Sequence, residues 1–176
     1  MKTVKNTVEP IHLRHATEAD LPALEVLPFS AGLPSKHQDR FARQQCDEVV
    51  YVLATAGDEI VGHLLLKWGC PSDPHVRALV PPCAEVEDFV VAPNLRGQGV
   101  GSEMLKYAGV QSLKRGETRL GIGVGVENPS ARSLYERRGF ILVSGSEHRV
   151  SWRSPDGSGG EIREHEDCVY LVKDLG

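Results

Sequence analysis

The sequence lacks any long hydrophobic run and any excess of positive charge. None of its apolar stretches approaches the length that spans a bilayer, and residues 1–10 lack the apolar core of a signal peptide. The net charge is −4, from 20 lysines and arginines against 24 aspartates and glutamates, which argues against a nucleic-acid-binding surface. These absences predict a cytoplasmic protein with neither a membrane nor a nucleic acid as its partner.

Cysteine is also scarce, and its spacing matches no metal site. The chain has no C-x-x-C pair and no H-E-x-x-H motif, so we predict no bound metal. In a cytoplasmic protein, isolated cysteines are expected to be free and mostly buried thiols. The four are Cys46, Cys70, Cys83 and Cys168.

The overall composition is that of an ordinary globular domain. Of the 176 residues, 40% are hydrophobic and 25% are charged, and the chain is long enough to bury a core. There is no internal repeat and no linker. We therefore predict one domain over residues 1–176, in which residues 1–10 form a loose N-terminal segment.

Hydrophobic periodicity predicts an α/β fold, a mixed sheet with helices on both faces, in the order β-α-α-β-β-β-α-β-α-β-β. The predicted strands are 11–16, 49–54, 60–68, 84–91, 119–126, 140–150 and 167–173. The predicted helices are 21–27, 36–46, 102–115 and 130–138. The proline-rich residues 69–83 are predicted to be a long loop, either a surface insertion or a substrate lid.

A strand, a glycine-rich loop and a helix follow one another between Glu85 and Ser102. Glycines at 97, 99 and 101 permit backbone angles that other residues resist, and they leave room for a ligand. The first turn of the next helix has unpaired N–H groups and a partial positive charge, which suit a phosphate. A plain strand-to-helix connection is the alternative.

The spacing of these glycines excludes two kinds of phosphate site. A nucleoside-triphosphate loop ends in Lys-Ser or Lys-Thr, which is missing here, and a dinucleotide fingerprint is G-x-G-x-x-G rather than G-x-G-x-G. The loop instead resembles the pyrophosphate loop [QR]-x-x-G-x-[GA] of the GCN5-related N-acetyltransferase (GNAT) family, with Arg96, Gly99 and Gly101 in its defined positions. A second segment, from Asn128 to Phe140, resembles that family's N-x-x-A-x-x-L-Y-x-x-x-G-F motif.

The resemblance implies the GNAT-like acyl-CoA N-acyltransferase fold and acetyl-CoA (coenzyme A) as co-substrate. It implies that the backbone of the strand before the loop pairs with the pantetheine arm, and that the loop holds the pyrophosphate. The cofactor-binding residues implied in this way are Phe89, Val90, Val91, Arg96, Gly97, Gln98, Gly99, Val100, Gly101, Ser102, Asn128 and Tyr135. Asn128 is also expected to cap the second helix.

The same resemblance makes Tyr135 the candidate general acid, since a phenol is protonated at neutral pH and can donate to a departing thiolate. A packed, half-buried tyrosine is the alternative. A carboxylate near the reacting end of the strand would take the amine proton, and Glu87 is the first candidate, with Glu85 next. Strand alternation puts both on the face of Phe89 and Asp88 on the other. Either glutamate is equally explained as a solvated strand charge.

Glycine occupies every second position from Gly121 to Gly125, which leaves one face of that strand bare. Glycine in a strand is destabilising, so something is expected to approach closely, either a helix or, preferably, a ligand.

The sequence thus predicts an acetyl-CoA-dependent N-acetyltransferase that acts on a small-molecule primary amine by direct transfer. Acetylation of a protein N-terminus or lysine is an alternative within the class, and a non-catalytic acyl-CoA-binding module is an alternative outside it. The chain is compatible with a homodimer.

Overall fold

The computed structural model describes residues 9–176, so most of the predicted N-terminal segment lies outside the described residues. The strands are β1 (Ile11–His15), β2 (Val49–Ala56), β3 (Glu59–Lys67), β4 (Ala84–Val91), β5 (Arg119–Gly125), β6 (Ile141–Leu142), β7 (His148–Pro155) and β8 (Glu161–Asp174). The helices are α1 (Leu21–Glu25), α2 (Ser35–Gln45), α3 (Pro74–Leu79), α4 (Val100–Lys114) and α5 (Pro129–Arg137).

The eight strands form one mixed sheet, as predicted. The order is β1-β2-β3-β4-β5-β8, and β6 and β7 both pair with the far edge of β8. Only β4 and β5 are parallel, and the other pairs are antiparallel. Because a parallel pair needs a crossover connection, α4 and the loop before it join β4 to β5.

Alternating side chains send two apolar clusters to opposite faces of the sheet. From β2, Val52 and Ala54 join a large cluster with α4 and α5, whereas Tyr51 and Leu53 join a smaller cluster with Leu24 of α1. We call these the α4 face and the α2 face, since α2 packs on the second through His37, whose Nδ1 lies 2.6 Å from the Tyr51 hydroxyl. Helices therefore cover both faces, as predicted.

The prediction of a plain loop at residues 69–83 is wrong in its centre, which forms α3. Asp73 caps this helix by accepting a hydrogen bond from the N–H of Val76 at 3.0 Å, and Pro74 occupies the first helical position. Both are helix-start signals, which the high proline content concealed. Val76 is fully buried, so the segment is anchored to the body of the protein.

The predicted strand 140–150 is also wrong, because the chain turns within it. Gly145 has a φ of 74°, and the hydroxyl of Ser146 donates to the carbonyl of Val143 at 2.6 Å, which separates β6 from β7. β7 then pairs with the first half of β8, so the last strand begins at Glu161 rather than at residue 167. The element order therefore contains one helix and one strand more than predicted.

Two further expectations concern membrane-spanning helices and the cysteine thiols. Within residues 9–176, no helix is long and apolar enough to cross a membrane. All four cysteines are free thiols, as predicted, although Cys83 and Cys168 alone are buried.

Candidate active site

β4 and β5 separate in the middle of the sheet. They pair only where Ala84–Val86 meets Leu120–Ile122, although β4 continues to Val91 and β5 to Gly125. The other edge of β4 stays paired with β3, since Val90 and Val91 oppose His63 and Gly62. A gap between the two parallel strands therefore exposes the β5-facing backbone edge of residues 87–91. The predicted backbone-binding residues Phe89, Val90 and Val91 lie along this gap.

A backbone irregularity at Asp88 changes which side chains share a face. Asp88 has a φ of 45°, and the register between β3 and β4 shifts around it. Its carboxylate lies against His63 and α2, on the same face as Glu85 and Glu87, while Phe89 packs on the α4 face. The prediction that Glu85 and Glu87 share a face with Phe89 and that Asp88 points the other way is wrong in both parts, because one left-handed residue interrupts the alternation.

The glycine-rich loop leads directly into the N-terminus of α4. Gly97 and Gly99 have φ values of 75° and 91°, and no atom lies within 4 Å of where a Cβ would be on either. Gly99 is the N-cap of α4. Gly101 differs, because a Cβ there would meet Leu134 Cδ2 and Phe89 Cζ at 3.3 Å. Gly97 and Gly99 therefore leave open space for a ligand, and Gly101 allows α4 to pack closely.

Two arginines complete the loop. Arg96 is held by a bond from its Nε to the carbonyl of Val91 at 3.0 Å. Arg138 of α5 donates from its Nε to the hydroxyl of Ser102 at 3.0 Å, which places a positive charge at the first turn of α4. A helix N-terminus, open glycines and guanidinium groups favour an anion, so these residues fit the pyrophosphate of coenzyme A.

A cavity of about 770 Å³ lies on the α2 face, between α2, β4, β5 and β7. It brings together the three predicted catalytic residues and two more of the predicted cofactor-binding residues, although Val90, Val91 and residues 96–102 do not line it. The predicted site residues that line it are Glu85, Glu87, Phe89, Asn128 and Tyr135. Asn128 also accepts a bond from the N–H of Ala131 at 3.1 Å and so caps α5, as predicted.

Glu85 and Glu87 are joined by one serine and one lysine. The N–H of Ser72 donates to Glu85 at 2.7 Å, and its hydroxyl donates to Glu87. Lys67 Nζ lies 3.3 Å from Glu85 and donates to the Ser72 hydroxyl at 2.8 Å. Burial and the neighbouring charge of Glu87 raise the pKa of Glu85. Glu85 is thus a buried, network-bound carboxyl, and Glu87 is the more open of the two.

Tyr135 lines the cavity from the α4 face, through the gap between β4 and β5. Its ring stacks on Phe89 at a centroid distance of 6.2 Å and packs against Phe140 at 6.1 Å. Only 6% of the residue is exposed. Burial, and secondarily the charge of Glu166, raise the pKa of Tyr135, so the phenol is protonated at neutral pH.

The three glycines of β5 lie in two different environments. A Cβ on Gly121 would overlap the hydroxyl of Tyr170, and one on Gly125 would overlap the carboxylate of Glu166, both from β8. Gly123 is open to the cavity, with His148 as the nearest group at 3.8 Å. The expectation of a helix or a ligand is therefore wrong at Gly121 and Gly125, where side chains of the neighbouring strand take the space.

Sequence reasoning missed several polar residues of this region. Lys36 and Arg40 lie one turn apart on α2, and their spacing marks a single helix face. Arg138 lies inside the second motif, but nothing local shows that it reaches α4. These residues and Ser72 meet the site only through the fold. Among residues 9–176, no group of three or more histidine, cysteine, aspartate or glutamate side chains is arranged to hold a metal.

Comparison with known proteins agrees with this geometry. Residues 19–140 match the Acetyltransferase (GNAT) family. The chain belongs to this family. The match confirms the prediction of GNAT membership.

Three curated relatives are acetyltransferases. A stretch of 57 residues is 39% identical to an uncharacterized N-acetyltransferase of Methanocaldococcus jannaschii, and it covers 32% of this chain and 25% of that protein. Streptothricin acetyltransferase of Streptomyces lavendulae is 26% identical over 124 residues, which cover 70% of this chain and 60% of that protein. The aminoalkylphosphonate N-acetyltransferase of Salmonella typhimurium is 26% identical over 146 residues, which cover 80% and 91%. The chain thus spans less than two thirds of the length of the first two of these relatives.

Solved structures confirm the predicted fold. The ribosomal-protein-alanine N-acetyltransferase from Brucella melitensis superposes with a TM-score of 0.66 at 20% identity, over 93% of this chain and 99% of that one. A Salmonella typhimurium protein solved with its cofactor acetyl-CoA has a TM-score of 0.66 at 16% identity, over 96% of this chain and 95% of that one.

Proposed function

We propose that this acetyltransferase moves the acetyl group of acetyl-CoA onto the primary amine of a small molecule in one direct step. The observation that carries the proposal is the meeting of Glu87, Glu85 and Tyr135 in one cavity, at the point where β4 and β5 separate. The proposed base for the amine and the proposed acid for the leaving group thereby lie on opposite sides of the gap.

The co-substrate supplies the acetyl group as an activated thioester. The N–H groups of residues 97–102 and the nearby Arg138 would hold its pyrophosphate, with Arg96 and Gln98 shaping the loop. The free backbone edge of Phe89, Val90 and Val91 would pair with its amide-bearing arm. Val100, Gly101 and Ser102 form the first turn of α4, and Asn128 would border the acyl end.

Glu87 is the proposed base. A primary aliphatic amine is about three pKa units too protonated at neutral pH, a penalty of roughly 4 kcal/mol. Glu87 faces the cavity and is half-buried, so its carboxylate can accept the amine proton directly or through a water. Burial raises the pKa of Glu85, and Ser72 donates one hydrogen bond to Glu85 and one to Glu87. Through this serine, Glu85 would stabilise Glu87 after Glu87 has taken the amine proton.

Tyr135 is the proposed acid. As the amine nitrogen bonds to the carbonyl carbon, the carbon–sulfur bond breaks and the sulfur takes the phenolic proton. The new amide nitrogen then loses its remaining extra proton, which restores the phenol of Tyr135 directly or through water. The raised pKa of Tyr135 ensures that the proton is present. The same apolar surroundings disfavour the departing thiolate as well as the tyrosinate that the transfer leaves, so the two effects offset one another.

The size of the cavity supports a small acceptor. About 770 Å³ lies within the roughly 300–1,000 Å³ of small-molecule sites. Two curated relatives are named for streptothricin and for aminoalkylphosphonates, both of them small amines. A protein N-terminus or lysine remains the second candidate, since one structural relative is named for ribosomal-protein alanine.

The single domain, the homodimer and the cytoplasmic location stay predictions.

Incubation of the purified protein with acetyl-CoA and a panel of primary amines tests the proposal. Release of free thiol, with mass-spectrometric detection of the N-acetylated amine, is the expected result. Acetylation of peptides alone would replace the small-molecule acceptor by a protein acceptor. Binding of acetyl-CoA without transfer to any amine or peptide would contradict the proposed reaction.

A further inference from the structure

Two cations of α2 contact a single carboxylate at the cavity wall. Lys36 Nζ lies 3.3 Å from Asp88 Oδ2, and Arg40 Nη1 contacts the same oxygen. Each cation has 16% of its side chain exposed, and both line the cavity. The lysine and the arginine are thus largely withdrawn from bulk water.

The cluster holds one more positive charge than negative charge. His63 also reaches Asp88, with Nδ1 at 3.6 Å from Oδ2, but burial lowers the pKa of His63 to about 3, so it is neutral. Burial alone would raise the pKa of Asp88, but its interactions with His63, then Arg40 and Lys36, lower that pKa below its ordinary value and keep the carboxyl ionised. Asp39 also lines the cavity, but it is exposed and has no ion pair within residues 9–176.

A buried hydrogen-bonded group fixes this cluster in place. His37, on the inner face of α2, bonds to the Tyr51 hydroxyl at 2.6 Å, and His63 Nε2 lies 2.9 Å from the Ser30 hydroxyl. His37, Tyr51 and His63 are each at most 2% exposed. The cations therefore project from a rigid support, unlike lysines on a mobile surface.

The other charged wall of the cavity is acidic. Glu85 and Glu87 lie on β4 beside Ser72, and Glu166 lies over Gly125 of β5. An amine would be drawn to these carboxylates and away from Lys36 and Arg40. An anionic group would be attracted to Lys36 and Arg40 and repelled by the glutamates, because opposite charges attract and like charges repel.

We propose that the acceptor is an anionic amine, whose carboxylate or phosphonate binds Lys36 and Arg40 while its amine faces Glu87. This inference rests on the proposed function and specifies its acceptor. An anion at this place balances the surplus charge, which otherwise remains partly desolvated and uncompensated. Arg40 has five N–H donors, and Asp88 accepts a hydrogen bond from one of its nitrogens, Nη1. Other donors therefore remain for a second anion.

Three acceptors of similar length test the charge requirement: aminopropylphosphonate, aminobutyrate and the uncharged aminobutanol. With acetyl-CoA, the native protein is expected to acetylate at least one anionic amine with a kcat/KM at least about tenfold above that of aminobutanol. The phosphonate and the carboxylate compete for the same cations, so their ratio identifies the preferred anion. Equal or better use of aminobutanol would overturn the inference and leave acetyl transfer intact.

Two variants locate the effect. Lys36→Met keeps the aliphatic stem and removes the charge, and Arg40→Lys keeps the charge and removes the planar donor geometry. Lys36→Met is expected to raise KM for the anionic amine by about 10- to 100-fold, and by at least tenfold more than for aminobutanol. Equal losses on both amines would indicate a structural role only. Arg40→Lys is expected to retain part of the preference.

A binding measurement makes the inference independent of turnover. Propylphosphonate has the anion and lacks the amine, so titration into the native protein should show saturable binding that Lys36→Met weakens about tenfold or more. Unchanged acetyl-CoA affinity and circular dichroism would show that the variant is folded. Butyrate serves in the same way as the probe for a carboxylate. Absence of binding of both propylphosphonate and butyrate to the native protein would overturn the inference whether or not any amine is acetylated, whereas binding without any acetylation would contradict the proposed function alone.

Discussion

The backbone N–H of Ser72 donates a hydrogen bond to the buried carboxyl of Glu85 at 2.7 Å. This bond ties the segment before α3 to β4, so that Ser72 forms part of the cavity wall. It also gives Glu85 a partner at a position where only 6% of the residue is exposed. The protonation of Glu85 therefore affects the stability of the folded protein, and this effect can be measured as a dependence of stability on pH.

The first prediction concerns stability and pH. Burial, and then the charge of Glu87, raise the folded-state pKa of Glu85 above its ordinary value of 4.5. The folded protein therefore holds a proton that the unfolded chain has lost, and stability falls as pH rises from about 4.5 through the folded-state pKa. In Glu85→Gln this contribution is absent, so denaturant unfolding from pH 4 to pH 8 should show a smaller loss than in the native protein. Parallel curves would contradict the assignment.

The second prediction concerns Glu87 as the base. Glu87→Gln should lower kcat/KM at neutral pH by about 10²-fold or more, because the amine must then lose its proton without help. The defect should shrink as pH rises and the free amine becomes abundant. Glu59→Gln, at the start of β3 and outside the cavity, provides a matched control with no expected change. A defect in Glu87→Gln that is independent of pH would exclude the role of base.

The third prediction concerns Tyr135 as the acid. Tyr135→Phe keeps the ring that packs against Phe89 and Phe140, so the melting temperature and acetyl-CoA affinity should change little. Turnover should fall by about 10²- to 10⁴-fold, since the proton donor is lost. Tyr107→Phe, on α4, is the matched control and should keep full turnover. Native turnover in Tyr135→Phe would return this residue to a packing role.

The fourth prediction concerns the glycine-rich loop. Gly99 and Gly116 lie at opposite ends of α4 with φ values of 91° and 87°, and neither has an atom within 4 Å of a Cβ position. Gly99→Val and Gly116→Val should therefore lose similar stability, about 1–2 kcal/mol, from the left-handed backbone. Only Gly99→Val should weaken acetyl-CoA binding in calorimetry, because its side chain occupies the proposed phosphate position. Equal affinities in the two variants would remove Gly99 from the site.

The fifth prediction separates two glycines of β5. A Cβ on Gly121 would lie 2.2 Å from the hydroxyl of the buried Tyr170, whereas one on Gly123 would have His148 as its nearest group at 3.8 Å. Gly121→Ala should cost about 1–3 kcal/mol of unfolding free energy through overpacking. Gly123→Ala should leave stability nearly unchanged and raise the acceptor KM, since Gly123 lines the cavity. Equal stability losses would contradict this distinction.

Structural features whose interacting residues lie within a few positions of one another were predictable from the sequence. The loop around Gly99 and the cap at Asn128 depend on local backbone angles and on bonds to groups at most a few residues away. The same holds for the capping box of Thr17 and Asp20 and for the left-handed Gly139 after α5. Such features need no distant partner, which is why local residue types indicate them.

The errors arose where a competing local signal won. At residues 69–83 the prolines concealed the cap and first turn of α3, and at residues 140–150 an apolar start concealed the turn at Gly145. At Asp88 the assumption of strict alternation failed, because a single residue with a φ of 45° reverses the faces that follow. Aspartate adopts this angle more readily than most residues other than glycine, but its presence within a strand does not by itself predict the angle.

The sequence by itself determined the family and the two motifs that carry it, because those depend on short-range spacing. Only the tertiary structure decided that Asp88 meets Lys36 and Arg40, that Ser72 joins Glu85 to Glu87, and that Tyr170 fills the space above Gly121. These contacts join residues far apart in the chain, and they exist because the gap between β4 and β5, the irregularity at Asp88 and the packing of α2 act together. Acceptor specificity is proposed to reside in those long-range contacts.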